Sequence, residues 1–368
     1  MHKWITVLLI SCLCMTVPHL RPAEASSTTS QLEIEISQNL ESLFAQRSKY
    51  LAGQTNNMVR YYDIQSPLSR HAYTMEINRK TYLHAWSELR NMKITDCQSK
   101  IHISKIRVKD NTAMVSLGHS QQITYAYKDQ LSSTHSFGLG TWHAVTLKKI
   151  NDQWIVSKEW YLDPLEENPR LIAAGLPSSP PHRPELKDGK NYKRKQAVDY
   201  ANKYAGIAWR TNDKVKYNSK YKNYNNLGGD CTNFASQALG DQKEGGGLPM
   251  MGAWRYHFPK GGTKTWVQTD AFKDFILYSG YGKKIATGSF SKLVEKTEAH
   301  PYGLIGELAA GDLIAHVMNH DVDHFSVVTG FDQRGYPLVN SHTADRFQAP
   351  FDLGWDNKTS YILIHIRD

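Results

Sequence analysis

Residues 228–239 read Gly-Gly-Asp-Cys-Thr-Asn-Phe-Ala-Ser-Gln-Ala-Leu, and this stretch decides how the C-terminal half of the chain is organised. After the two glycines, Phe234 and Ala238 recur at helical spacing, which predicts a helix that begins at Cys231. Unpaired backbone N–H groups at a helix start favour a thiolate and lower the pKa of a thiol there. The stretch therefore predicts a nucleophilic cysteine. A cysteine is also a common small apolar residue in helix packing, and that interpretation stays open.

A nucleophilic cysteine needs a general base, and His324 has the best context among the histidines. Residues 324–330 alternate as a strand that opens with His324 just after a turn. On the next predicted strand, residues 336–342, Asn340 and His342 share one face. Either side chain could orient the imidazole of His324 as the third member of a triad. We favour Asn340, because it lies nearer the presumed site, and keep His342 as the alternative.

Four segments of the chain resemble, in their order, those of the putative amidase domain family, which is akin to NlpC-type and CHAP-type cell-wall amidohydrolases. The segments are residues 229–237, 311–314, 323–330 and 339–343. The resemblance covers about residues 190–368. It implies a papain-like (NlpC/CHAP-type) α+β fold, a nucleophile at Cys231, a base at His324 and a third polar residue, for which Asn340 and His342 both fit. It also implies hydrolysis of an amide bond through a thioacyl intermediate, without a cofactor or a metal. Peptidoglycan is the expected substrate.

A proline-rich stretch divides the chain. Six of the 14 prolines lie within residues 164–184, which predicts an extended linker over residues 164–190. Residues 191–368 then form the amidase domain. Residues 26–163 change from helical spacing to a period of two, and helices followed by an antiparallel meander predict an α+β domain. This order resembles the cystatin-like cone fold. We expect an accessory domain without a reaction of its own.

Hydrophobic periodicity also predicts the individual elements. Helices are expected from about residue 30 to 44, at 71–90, 194–204 and 270–278. Strands are expected at 101–108, 113–117, 122–127, 140–149, 153–161, 312–318, 324–330, 336–342 and 359–366.

The N-terminus predicts export. Residues 4–17 are almost all apolar, Pro18 interrupts the run, and residues 23–25 read Ala-Glu-Ala, a small-x-small cleavage site. The pattern predicts a signal peptide over residues 1–25. The apolar run is shorter than the roughly 20 residues that a membrane-spanning helix needs. We therefore expect a secreted, extracellular or wall-associated protein with no integral membrane span.

Cysteine usage and charge agree with that location. Of the four cysteines only Cys97 and Cys231 follow the predicted signal peptide, and a disulfide-stabilised secreted scaffold would carry more. The two fall in different predicted domains, so we expect them to be unpaired. The formal net charge of +9 favours polyanions, which outside a cell include anionic wall polymers. No nucleic-acid-binding motif is present, and we expect no nucleic acid partner.

The main alternative is a non-catalytic exported protein that only binds the cell wall. Trp254, Tyr256, Trp266 and Trp355 could stack on such a ligand, although aromatic residues of this kind more often lie in a core. Zinc chemistry is disfavoured, because residues 316–324 are rich in histidine but lack the H-E-x-x-H pattern. The reactivity of the Cys231 thiol distinguishes the enzyme from the binding protein.

Overall fold

A computed structural model describes residues 23–165, 168–178, 185–208 and 217–368, and of residues 23–30 it describes the backbone only. Most of the predicted signal peptide, residues 1–22, lies outside the described residues, as do residues 166–167 and 179–184 of the predicted linker. Within the described ranges, no helix is both long and apolar enough to cross a membrane.

The described chain forms seven α-helices and twelve β-strands. The helices are α1 (Ala23–Leu51), α2 (Pro67–Leu89), α3 (Arg194–Lys203), α4 (Cys231–Gly240), α5 (Lys264–Val267), α6 (Thr269–Tyr278) and α7 (Phe290–Val294). The strands are β1 (Met92–Lys109), β2 (Thr112–Tyr127), β3 (Gln130–Ile150), β4 (Gln153–Tyr161), β5 (Tyr256–His257), β6 (Gly261–Gly262), β7 (Gly282–Ser289), β8 (Leu313–Met318), β9 (Asp321–Phe331), β10 (Pro337–Ser341), β11 (Asp345–Pro350) and β12 (Ser360–Ile366). Helices and a large antiparallel sheet confirm the predicted α+β class.

The N-terminal part is a meander of four long antiparallel strands, β1 to β4, with α1 and α2 against one face. Alternation of buried and exposed residues along the strands supplies that apolar face. Its core includes Ile36, Leu40, Leu43, Val115, Leu117, Val145 and Leu147. Between β3 and β4, Asn151 and Asp152 both have positive φ, the geometry that suits a tight hairpin.

One strand was predicted as two. The apolar alternation pauses between residues 117 and 122, yet β2 runs unbroken from Thr112 to Tyr127. It pairs with β1 on one side and β3 on the other across the whole pause. Backbone hydrogen bonds to two neighbours therefore hold the polar stretch in the sheet, whatever its side chains favour.

The two parts of the chain share one ten-stranded sheet. Its order is β1-β2-β3-β11-β10-β9-β8-β12-β7, with β4 on β3, so the pairing of β3 with β11 joins them. Sequence periodicity missed β7 and β11. Both carry lysine, arginine or aspartate among their first residues, and their strand structure comes from pairing with neighbours distant in sequence.

A shared core lies on one face of that sheet. It combines residues of the N-terminal part with residues of the C-terminal part: Tyr82, Trp86, Ile123, Phe137, Leu139, Phe290, Ile314, Val328, Val339, Phe351 and Leu363. Within the predicted linker, Leu165, Ile172 and Ala173 are buried in the same core. The predicted domain boundary over residues 164–190 stays a prediction, as do the cystatin-like and papain-like assignments.

The opposite face of the C-terminal strands carries α3, α4 and α6. Phe234, Ala235, Ala238 and Leu239 of α4 pack there with Leu313, Phe325, Val327 and Ile364 of the sheet. This packing fixes where α4 begins relative to β9 and β10.

Candidate active site

Helix α4 begins at Cys231, as predicted. Two glycines bring the chain to this point, Gly228 with φ of 105° and Gly229 with φ of 124°. Both angles lie in the left-handed region that glycine adopts without a steric cost. The next residue, Asp230, donates its backbone N–H to Thr343 Oγ1 at 2.7 Å, which ties the helix start to the chain beyond β10. The glycine pair and this bond place the thiol in the first turn of α4.

The sulfur of Cys231 lies beside the strand that carries His324. Its Sγ lies near the backbone N–H of Phe325, which favours the thiolate, and the hydroxyl of Thr232 is 3.8 Å away. The last residue pair between β10 and β9 is Asn340 with Val327. Phe325 lies beyond it, so β10 does not pair with Phe325. Cys231 therefore sits next to the peptide between His324 and Phe325. The thiol thus lies near the backbone that follows His324, although the two residues are far apart in sequence.

The imidazole of His324 packs between aromatic rings. Its centroid lies 5.4 Å from that of His316, its partner on β8, and 5.6 Å from the ring of Trp355. Its Nε2 is buried without a hydrogen-bond partner in the described part of the chain. Burial, with smaller contributions from Arg346 and His342, lowers the pKa of His324 to about 3. The ring is thus neutral, the state in which it can accept a proton.

The thiol is also neutral. Burial raises the pKa of Cys231 above its ordinary value, and the N–H of Phe325 and the hydroxyl of Thr232 offset only part of this effect. The expectation that the helix start lowers this pKa is wrong here, because desolvation outweighs the helix dipole. No hydrogen bond joins Sγ to the ring of His324 among the described contacts. Burial therefore favours a neutral thiol and a neutral imidazole, and no described hydrogen bond shares a proton between them.

Asn340 makes contacts other than the predicted one. Its Oδ1 accepts from the hydroxyl of Thr329 at 2.9 Å and from the N–H of Gln348 at 2.7 Å. Its Nδ2 donates to Ala201 O and Asn202 Oδ1, both at 3.0 Å. Its Nδ2 thus links β10 to α3, its Oδ1 links β10 to β9 and β11, and the described contacts do not include the ring of His324.

His342 is held at the start of α4. Its Nδ1 lies 2.6 Å from Asp230 Oδ2 and its Nε2 lies 2.6 Å from Tyr204 O, while its ring stacks on Phe234 at 4.1 Å. Both oxygens are acceptors, so both ring nitrogens must donate and the imidazole is protonated. Although burial opposes it, the contact with Asp230 raises the pKa of His342. The ring is a buried cation paired with Asp230, the residue that precedes Cys231, and no described hydrogen bond joins it to His324.

Asp230 was not predicted as a site residue, although it precedes Cys231 in the motif. Besides His342, its carboxylate accepts from the N–H of Tyr224 at 2.8 Å and from Asn233 Nδ2 at 2.9 Å. It makes no side-chain cap bond to α4. Asp230 therefore connects the loop before the helix, the helix itself and the chain after β10.

A cleft of about 890 Å³ opens beside Cys231. Its lining joins the glycine turn and the first turn of α4 to α6 and the start of β9: Gly228, Gly229, Cys231, Thr232, Asp270, Asp274, Val322 and Asp323 are among its residues. A substrate can thus approach the thiol from solvent through this cleft.

The other cysteine has a different environment. Cys97 is buried on β1, and burial raises its pKa to about 12. Both cysteines are free thiols, as predicted. Only Cys231 lines the cleft.

The aromatic residues named for the binding alternative are mostly core. Trp254 and Trp266 are fully buried and stack at 4.8 Å, with their N–H groups bonded to Ser236 Oγ and Asn233 Oδ1. Trp355 instead contacts His316 and His324. Among the described residues, no group of three or more potential ligands could hold a metal.

Comparison with known proteins supports the C-terminal assignment. Residues 191–365 match the family described as "Putative amidase domain", which confirms the resemblance and indicates an amide-bond hydrolase. No curated protein matches the chain. Two solved structures are similar over 34% of this chain, each with a TM-score of 0.23. One is the intermembrane space region of chloroplast protein ARC6, with 10% identity and 95% of that chain covered. The other is an NTF-2 like protein of unknown function from Shewanella oneidensis MR-1, with 16% identity and 98% covered.

Proposed function

We propose that the C-terminal part is a papain-like cysteine amidohydrolase in which Cys231 is the nucleophile and His324 the general base. The observation that supports the proposal is the position of the Cys231 sulfur, in the first turn of α4 and near the backbone N–H of Phe325, the residue that follows His324. The open cleft at the same sulfur supplies access for a substrate.

The reaction begins from the neutral pair. A substrate that binds in the cleft brings its amide carbonyl to the sulfur, and His324 accepts the thiol proton as the S–C bond forms. Backbone N–H groups in the first turn of α4 stabilise the negative oxygen of the tetrahedral intermediate. His324 then donates its proton to the leaving amine, the C–N bond breaks, and a thioester remains. Water, activated by His324, hydrolyses the thioester and releases the acid and the thiol.

Asn340 and His342 are proposed as positioning residues. His342 acts through Asp230, which directly precedes the nucleophile, and Asn340 holds β10 against α3. The ring of His324 is held by packing against His316 and Trp355. A direct orienting bond from Asn340 or His342 to His324 stays a prediction.

The proposed substrate is peptidoglycan, and the proposed location is outside the cell. The sequence features that support both are the N-terminal apolar run with its cleavage site and the resemblance to cell-wall amidohydrolases. The competing function is a wall-binding protein without catalysis.

The Cys231→Ala variant tests catalysis. We expect it to release no fragments from purified cell wall, while Cys97→Ala, the matched control at the other buried thiol, releases the wild-type set. The measurement is mass analysis of the soluble fragments. Hydrolysis by Cys231→Ala at the wild-type rate would contradict the proposal, and a wild-type protein that binds wall but releases nothing would favour the binding alternative.

A further inference from the structure

The face of the N-terminal sheet that points away from α1 and α2 carries two exposed indoles. Trp142 on β3 is 42% exposed and Trp160 on β4 is 67% exposed. Trp160 pairs with Ala144, two residues from Trp142, so the two tryptophans are diagonal neighbours about 7–8 Å apart. One ligand segment can therefore contact both rings. We call this surface the Trp142–Trp160 face.

Strand register defines the rest of the face, because residues directly opposite each other share one side of a sheet. One row across the four strands is Arg107, Met114, Thr146 and Lys158. The next row is Lys105, Ser116, Ala144 and Trp160, and Trp142 lies opposite Gly118 in the third. The residues between the indoles and the cations are small, so the face is a shallow platform that spans four strands, about 14 Å wide.

The charge on the platform has one sign. Lys105, Arg107 and Lys158 are exposed, and no described carboxylate forms an ion pair with any of them. The two rows that contain them hold no aspartate or glutamate. Flat aromatic rings on the same face as unneutralised cations suit a polymer that presents both apolar ring faces and anionic groups.

We propose that the Trp142–Trp160 face binds peptidoglycan, with sugar rings against the indoles and stem-peptide carboxylates near Lys105, Arg107 and Lys158. The choice of this polymer rests on the proposed function, because the cleft at Cys231 is then supplied with the same substrate. Binding through a second surface raises the concentration of wall near the cleft without any change in the cleft itself. Single-stranded nucleic acid, which also stacks on aromatic rings in basic grooves, is the competing ligand.

The test is co-sedimentation of the full chain with insoluble peptidoglycan from which other wall polymers have been stripped, in the Cys231→Ala background so that the wall stays intact. We expect Trp142→Ala/Trp160→Ala to weaken binding at least about tenfold. Charge reversal of Lys105, Arg107 and Lys158 to Glu should weaken it and flatten its salt dependence. Tyr278→Ala, an exposed aromatic residue on α6, is the control and should bind as the parent does.

Folding of each variant is checked by its thermal unfolding midpoint. Parent-like binding by the double tryptophan variant overturns the proposal. Two other results also overturn it. In the first, the tryptophan changes abolish binding to oligo-dT and leave peptidoglycan binding unchanged. In the second, the parent is a dimer that the tryptophan changes convert to a monomer. If the protein with Cys231 restored fails to cleave wall but the tryptophan changes still abolish binding, the proposed catalysis fails while this inference stands.

Discussion

At the scale of single residues, burial holds both Cys231 and His324 neutral. Desolvation raises the pKa of the thiol and lowers that of the imidazole to about 3. Proton transfer from one to the other creates two charges in a buried place, which is unfavourable until a substrate or water stabilises them. We therefore expect the thiolate form to be minor in the free protein.

This state predicts the reactivity of the thiol. In the free protein at neutral pH, iodoacetamide should alkylate Cys231 slowly compared with a low-pKa catalytic cysteine, because the thiolate is the nucleophile. Labelling of the free protein therefore does not separate the enzyme from the binding protein, contrary to the expectation from the sequence. The rate should rise with pH. Mass spectrometry of labelled peptides measures it, with Cys97 as the internal reference for a buried thiol outside the cleft. Fast labelling of Cys231 at pH 6 would contradict the neutral assignment.

The lowered pKa of His324 also predicts how stability depends on pH. Between about pH 6.5 and 3 the unfolded chain binds a proton at this ring and the folded chain does not, so the free energy of unfolding falls as the pH falls. The contribution is about 1.4 kcal/mol per pH unit in this window. His324→Gln should show a shallower loss in urea titrations at pH 6, 5 and 4. His102→Gln, at an exposed position on β1, should keep the wild-type slope.

At the scale of elements, the site depends on how the start of α4 is joined to the end of β10. Asp230 and His342 form this junction, and Thr343 adds a bond to the N–H of Asp230. A buried ion pair is a costly way to join two elements, but it has a defined geometry. The junction sets the position of the first turn of α4 along β9, and so the position of the sulfur.

Asp230→Asn tests the junction. The change keeps an acceptor for the N–H of Tyr224 but leaves protonated His342 without its carboxylate, so we expect a loss of about 1–3 kcal/mol at pH 6. Because the pair raises the pKa of His342, its contribution is complete below about pH 6.5 and is lost as the pH rises through the raised value. Urea denaturation at pH 6 and pH 9 measures the difference. The control is Asp199→Asn, which removes an exposed i,i+4 pair with Lys195 and should leave the urea midpoint unchanged at both pH values.

At the scale of the whole molecule, one sheet and one core join the two parts of the chain. The carboxylate of Asp352 accepts from the guanidinium of Arg90 at 2.6 Å and from the indole N–H of Trp86 at 3.1 Å. These bonds join the C-terminal end of α2 to the chain after β11. The carboxylate of Asp332 accepts hydrogen bonds from the hydroxyls of Tyr125 and Tyr127 on β2. We expect the parts to unfold in one transition rather than two.

Strand β3, which joins the two parts of the chain, is closely packed at Gly138. Gly138 of β3 lies against the backbone of Ala208, and a Cβ at residue 138 would lie 2.3 Å from Ala208 O. Gly138→Ala should therefore lower the free energy of unfolding by about 1–3 kcal/mol, with tryptophan fluorescence and circular dichroism still reporting one midpoint. Gly330→Ala on β9, where a Cβ meets nothing within 4 Å, is the control and should change stability by under about 1 kcal/mol. Two separate midpoints would contradict the coupling.

Much of this protein could be predicted from local sequence. The start of α4 at Cys231, the helices α3 and α6, the strands β4, β8, β9 and β12 and the α+β class follow from periodicity, glycines and turn residues, which act over a few residues. The motif around Cys231 and a strand through His324 also follow from local pattern, although β9 begins at Asp321 and not at His324 as predicted. Tertiary structure alone decided the continuity of β2, the pairing of β3 with β11, the bonds of Asn340 and His342 and the neutral state of the thiol. These depend on which distant groups meet and on how much water they exclude, and neither quantity is encoded in the spacing of residues along the chain.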